Sequence, residues 1–315
     1  MAKKKEGYVK KVPFKKRLLK DLRWNWILYL MVIPVIVYYI TFSYRPMYGI
    51  IMAFKDYKIK EGIMGSPWVG LKHFERFFGA YNFIHLLKNT WTLSTYYLLV
   101  SFPVPIIFAQ ILHYTTRPHL KKIVQMVSYA PHFISTVVIC GMIRLFMGSD
   151  TGIFNIVLGL FGVEPVAFLS KAEWFKHIYV WSGVWQGMGW SAIIYISSLS
   201  GVDYALHEAA IIDGATKIQR MRYVDLPSIK STIVMLLIMS IPGLVSVGFE
   251  KVYLLQNDLN ITASSVISTY VYEQGMLEAN YSYSTAVGLF NTVLSLILLI
   301  GANTFCKKVL DESIF

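Results

Sequence analysis

Four residues of one apolar stretch have the types and spacing to bind a polyhydroxylated ligand. Gly183, Gln186, Gly187 and Trp190 recur at i, i+3, i+4 and i+7, so on a helix they share one face. That face offers an indole plane, an amide and two gaps. Sugars present apolar C–H faces and a rim of hydroxyls, which suit stacking and directed hydrogen bonds respectively. Ser240, Gly243 and Val247 form a comparable strip further along, and Asn291 and Ser295 another, one turn apart. Small residues at helical spacing also serve as packing surfaces between membrane helices, and that reading stays open for every strip. Trp181 and Trp185 lie on other faces and are read as interfacial or packing residues. Other chemistries find less support. Cys140 and Cys306 form no C-x-x-C pair and are read as small buried hydrophobes. His113 and His119, six apart, do not share a helical face, so no metal is expected. No G-x-x-x-x-G-K-[ST] loop is present. The one Lys followed by Ser or Thr is Lys230, and Ile229 precedes it. No catalytic residue, and no cofactor bound by this chain itself, is expected.

The elements that must position these faces are long apolar helices. Of 315 residues 55% are hydrophobic and 15% charged, with a mean hydropathy of +0.50. A water-soluble core does not need so much apolar side chain, so the excess faces lipid. A disordered chain, a disulfide scaffold and a soluble nucleic-acid binder are excluded. The net charge of +12 is concentrated, with ten Lys/Arg in the first 23 residues. That is the pattern of a cytoplasmic flank near anionic lipid.

Apolar runs of about 20 residues are read at Trp24 to Tyr44, Trp91 to Tyr114, Ile123 to Phe146, His177 to Leu199, Thr232 to Leu255 and Tyr283 to Cys306. The first is read as a retained helix, because it exceeds a signal-peptide core and lacks a small-residue cleavage site. Segments 1–23, 115–122, 200–231 and 307–315 hold 10, 3, 4 and 2 basic residues, which places them and both termini in the cytoplasm. The organisation is therefore a basic segment 1–23, a membrane domain 24–306 with a cytoplasmic loop at 200–231, and a tail 307–315. The expected fold class is an all-α membrane protein with six transmembrane helices. Prolines 34, 103, 105, 131 and 242 interrupt the runs, as kinked helices of a bundle tolerate. The runs are read as almost free of formal charge, with Arg144 near one end as the exception, which argues against proton- or sodium-driven transport. The segments Arg45 to Asn89 and Gln256 to Ser282 are expected to form short helices and contacts at the outer surface.

The cytoplasmic loop reads as helix, turn, helix. Ala209 and Ala210 favour a helix, Gly214 permits the break, Thr216 can cap the next run, and Pro227 closes it. Glu208, Ala209, Ala210, Asp213, Gly214, Ala215, Leu226 and Pro227 fall on an E-A-A-x-x-D-G-A…L-P pattern. This resembles the signature of importer-type ABC transporter permeases, and six crossings match that family's type I core. The surrounding Leu-x-Glu-Ala-Ala-x-x-Asp-Gly-Ala-Thr, and Trp68-Val69-Gly70-Leu71-Lys72-His73-Phe74, resemble the carbohydrate, maltose-type branch. The basic N-terminus and Arg45-Pro46-Met47-Tyr48-Gly49 resemble the polysaccharide-type permeases of multiple-sugar systems. Met221, where an aromatic residue is usual, and Ser231, where a second proline is common, depart from the pattern.

The resemblance implies that residues 208 to 227 form a coupling helix docking into an ATPase subunit. It implies two such subunits, which bind ATP and Mg. It also implies a second, homologous permease and an extracellular or periplasmic solute-binding protein, all at the cytoplasmic membrane. Glu208 would pair with a basic residue of the ATPase subunit or hold the loop. Alternating access would carry an oligosaccharide past Gln186, Gly187, Trp190, Ser240 and Asn291. Two rivals remain at this point. One is an importer permease for a non-sugar solute. The other is a membrane enzyme acting on lipid-linked sugar, for which the only dense acidic group is Asp203, Glu208, Asp213 and Asp225.

Overall fold

A computed structural model describes residues 21–314. The described residues are almost wholly helical, with an isolated antiparallel bridge between Lys55 and Trp68 and no strand among them. Helix α1, Trp26–Phe54, is apolar all round and has no buried residue between Trp26 and Tyr39, so that stretch faces lipid or a partner. After the short α2, Lys72–Phe78, comes α3, Phe83–His113, interrupted at Phe102 where Pro103 and Pro105 remove backbone donors. Helices α4, Pro118–Phe133, and α5, Thr136–Phe146, meet at 101°. Pro131 weakens the end of α4, and the Ser135 hydroxyl caps α5 by accepting from the Val138 N–H.

The short α6, Ile153–Leu160, leads to the central α7, Ala172–Ser200, which packs against both α3 and α4. Gly189 makes the α4 contact possible: a Cβ there would lie 2.2 Å from the Ser128 carbonyl oxygen. Then follow α8, Tyr204–Ile212; α9, Lys217–Ser228; α10, Lys230–Leu244; α11, Phe249–Leu255; α12, Ile267–Tyr272; and α13, Tyr281–Leu310. Leu93, Ile139, Val180, Val184, Val252 and Val266 share the main core around α7. A second cluster joins Phe77 and Leu86 to Ile267, Tyr283 and Val287. It ties the segment after α1 to the one before α13, as does the Tyr57 N–H donated to the Ser282 hydroxyl at 2.9 Å. Both segments contain short helices, and they form one aromatic platform.

Among the described residues three helices, α1, α3 and α13, are long and apolar enough to cross a membrane, or up to five spans if the bent pairs α4–α5 and α9–α10 each count as one. The 29-residue α7 is long enough, about 44 Å at 1.5 Å per residue, but its Ser, Gly, Gln and Trp keep its hydropathy lower. The expected boundaries need correction. The second run begins at Phe83 rather than Trp91, the third is a bent pair rather than one helix, and the first continues to Phe54. The fifth run, Thr232 to Leu255, is broken. Helix α10 ends in a 3₁₀ turn started by Pro242, and the chain reaches Gly248 before α11 begins. That run is not free of charge either, because Glu250 and Lys251 lie on α11. Of the basic segment 1–23, residues 1–20 lie outside the described residues.

Candidate functional site

The loop between α7 and α10 has the geometry its sequence dictates. Asp203 accepts from the Ala205 N–H at 3.0 Å and starts α8. Gly214 has φ +76°, in the left-handed region. Gly214 N–H donates to Ile211 O at 3.0 Å and Ala215 N–H to Ala210 O at 2.8 Å, which closes the helix end in a Schellman arrangement. Thr216 and Gln219 then form a capping box that starts α9. Met221 opens a π-type turn through Asp225, and Leu226 and Pro227 lie in the last turn before the 68° bend into α10. Ser231, the other departure from the motif, donates to Glu312 at 2.6 Å and pins the tail. Glu208, Ala209, Asp213 and Gly214 are exposed, as are Ile212 (85%), Ile218 (75%) and Tyr223.

One side of α8 is anchored where spacing gave no hint. His207 Nε2 lies 3.2 Å from Asp225 Oδ1, and Asp225 is 0% exposed. His113, at the end of α3, brings a third group: one donor atom from each of His113, His207 and Asp225 falls within 4.8 Å of the others. By residue type and proximity these three could hold a divalent metal. The Arg220 guanidinium sits 5.4 Å from the centre of the neighbouring Tyr114 ring. The end of α3 is thereby joined to both helices of the loop.

A cavity of about 720 Å³ opens between α3, α7, α10 and the linker before α11. Its wall includes Ser94, Tyr97, Tyr179, Gly183, Gly187, Trp190, Ser191, Ser240, Gly243 and Gly248. Hydroxyls and aromatic rings therefore both contribute to a wall that is otherwise mostly apolar. Trp190 stacks on His132 with ring centres 4.5 Å apart and planes 4° apart, which fixes the indole. Of the residues expected on the pathway, Gly187, Trp190 and Ser240 line this space. Gln186 does not, because its amide donates to Ile134 O at 3.1 Å and supports the turn between α4 and α5. Asn291 does not either, since no residue of α13 reaches the wall. Tyr97 and Tyr179 were missed in the sequence; a further signal was available in their phenols on apolar helices. Trp181 and Trp185 line a separate apolar cavity of about 520 Å³ against α5.

Two observations, the helix–turn–helix loop and a hydroxyl-lined cavity within an apolar bundle, narrow the chain to one class of protein. The sequence profile described as "Binding-protein-dependent transport system inner membrane component" matches residues 101–310. The chain belongs to this family. As such a permease it is a multi-pass membrane component, and permeases of the family carry no ATPase site of their own, hydrolysis residing on partner subunits. The membrane-enzyme rival is thereby set aside. The permease is 43% identical over 301 residues to the polygalacturonan/rhamnogalacturonan transport system permease protein YteP of Bacillus subtilis (strain 168), covering 96% of this chain and 94% of that protein. It is 41% identical to the protein LplB of the same organism, covering 94% and 92%. Among solved structures it is similar to a bacterial ABC transporter involved in the import of the acidic polysaccharide alginate, with a TM-score of 0.85, 38% identity, and 93% and 99% of the two chains covered. A second alginate transporter structure, in complex with an alginate pentasaccharide-bound periplasmic protein, matches at a TM-score of 0.86 and 36% identity. The ABC importer permease fold follows from these matches.

Proposed function

We propose that this permease translocates an oligosaccharide across the cytoplasmic membrane by alternating access, with six crossings and both termini in the cytoplasm. In this reading α7 is the fourth crossing, and α10 with α11 makes a broken fifth. Discontinuous helices around a midplane site are the usual construction of such pathways. The exposed α8–Gly214–α9 unit is the coupling element, and it is the single observation that carries the reading. Its apolar tips Ile212 and Ile218 stand in water unless another protein covers them, and the small residues Ala209, Ala210, Gly214 and Ala215 leave room for close approach. The partners are two ATPase subunits, which hold ATP and Mg, a second permease against the bare face of α1, and a solute-binding protein on the aromatic platform. The relatives whose names state a cargo, YteP with polygalacturonan and rhamnogalacturonan and the alginate importers, support the substrate class, as does the cavity's mixture of hydroxyls and rings.

Charge-reversing Glu208→Lys tests the coupling role in the reconstituted transporter. Substrate-stimulated ATP hydrolysis is expected to fall at least tenfold, with membrane insertion and the amount of permease unchanged. Coupled activity at the wild-type level would refute it. The alternative, a non-sugar solute, is checked by stimulation of the same complex with amino acids and phosphonates.

A further inference from the structure

One buried charge has no role in the account so far. Lys251, on α11, is 9% exposed. Its ammonium donates to the Tyr179 carbonyl at 3.1 Å and lies 5.2 Å from the centre of the Tyr179 ring. Among the described residues no carboxylate comes within 4.0 Å of it. An ammonium has three N–H donors, and the Tyr179 carbonyl takes one of them. A tie between α11 and α7 needs only that one bond, which a neutral amide would make without burying a charge. A buried cation without a counter-charge is costly in a membrane protein, and such groups mark pathways.

The ammonium also sits directly behind the cavity wall. A Cβ added at Gly183 would lie 3.2 Å from Lys251 Nζ and 2.8 Å from Tyr97 Cε2. Gly183, Tyr97, Tyr179 and Gly248 all line the cavity. The missing side chain at residue 183 thus leaves room for the Tyr97 ring and for the ammonium, which comes up against the backbone of a wall residue of a cavity with no charged side chain in its lining. Ser94 and Ser246 add hydroxyls to the same wall. A single ammonium matches a monoanion. A phosphate, with nearly two charges, is more often met by guanidinium forks or helix N-termini.

We propose that Lys251 is the carboxylate-binding residue of the translocation cavity, and that the cargo is an oligosaccharide containing uronic acid. This rests on the oligosaccharide reading above and narrows it. The ammonium, packed against Gly183 at the wall, turns an N–H that Tyr179 does not take toward one sugar carboxylate, while Tyr97 and Trp190 offer rings to the apolar sugar faces. Each uronate of a passing chain meets the same charge in turn, so the site favours acidic chains without holding them in place.

The test uses the complete transporter in proteoliposomes, with its second permease, ATPase subunits and binding protein. ATP hydrolysis is measured with short oligogalacturonates and oligomannuronates, with their neutral methyl esters, and with malto- and arabino-oligosaccharides. The wild type is expected to respond to the acidic probes over their esters. Lys251→Met is expected to lower the response to acidic probes roughly ten- to a hundredfold, the loss of one charge-assisted bond, while Lys251→Arg restores the preference. Assembly of each variant is followed by size-exclusion chromatography, and Lys251→Gln, which keeps the bond to Tyr179, separates lost charge from lost packing. Retention of the acidic preference in Lys251→Met or Lys251→Gln overturns the carboxylate site, as does a wild type that responds only to neutral glycans. In both cases the oligosaccharide reading stands. A complex that no glycan stimulates overturns that reading and the site with it.

Discussion

Replacing His207 by Leu should loosen the loop between α7 and α10 far more than an exposed substitution would. Asp225 is wholly buried, and among the described residues His207 Nε2, at 3.2 Å, is the one Lys, Arg or His nitrogen within 4.0 Å of its carboxylate, with His113 further off. Removing one member of a buried pair leaves the other charged and desolvated, at a cost of about 3–5 kcal/mol. At 1.4 kcal/mol per decade that is roughly a hundredfold to several thousandfold in the opening constant. The two residues belong to different helices, α8 and the end of the π turn in α9, so the opening is a local separation of the loop's two arms. Amide hydrogen exchange across residues 204–228 reads it directly, in the purified complex without nucleotide. Protection is expected to fall by that factor in α8 and α9 while α13 is unchanged. The double variant His207→Leu, Asp225→Leu removes both polar groups and is expected to recover most of the protection, since apolar replacement of a buried pair is often neutral. Equal protection in wild type and His207→Leu refutes the reasoning. So does a double variant as open as the single one, because the cost would then not come from a stranded carboxylate.

Two further outcomes can be checked with the same preparation. Gly189→Ala places a methyl 2.2 Å from the Ser128 carbonyl oxygen and forces α4 away from α7; a loss of about 1–3 kcal/mol is expected, visible as a lower melting temperature of the complex, and an unchanged one would show that the helices part freely. Trp190→Ala removes the ring stacked on His132 and is expected to raise KM for uptake about five- to tenfold, an aromatic contact of about 1–1.5 kcal/mol, with assembly intact; unaltered kinetics would take Trp190 out of the pathway.

Local chemistry made the helix–turn–helix of the loop between α7 and α10 legible before any coordinates. Gly214, Thr216 and the paired alanines act on their own backbone, so a linear reading finds the turn, the cap and both helices. The cavity was half legible. Helical periodicity put Gly187 and Trp190 on one face, but it says nothing of which neighbour that face meets. Gln186 therefore turned to a carbonyl of the α4–α5 bend, and Asn291 lies on a helix that does not border the cavity. Apolar averaging hid more. A window over Thr232 to Leu255 reads as one span and dilutes Lys251, whereas Pro242 and Gly248 cut the run and expose α11 as a separate element. The His113, His207 and Asp225 group was out of reach, since it assembles only when the end of α3 folds against the loop.

The bare isoleucines at the tips of α8 and α9 bear on how the protein is made. In the proposed topology, a copy synthesised without motor subunits carries a greasy knob into the cytosol, the kind of patch that chaperones hold and proteases trim. Under the proposed coupling role, the amount of this permease in the cell follows the supply of the subunit that covers the knob.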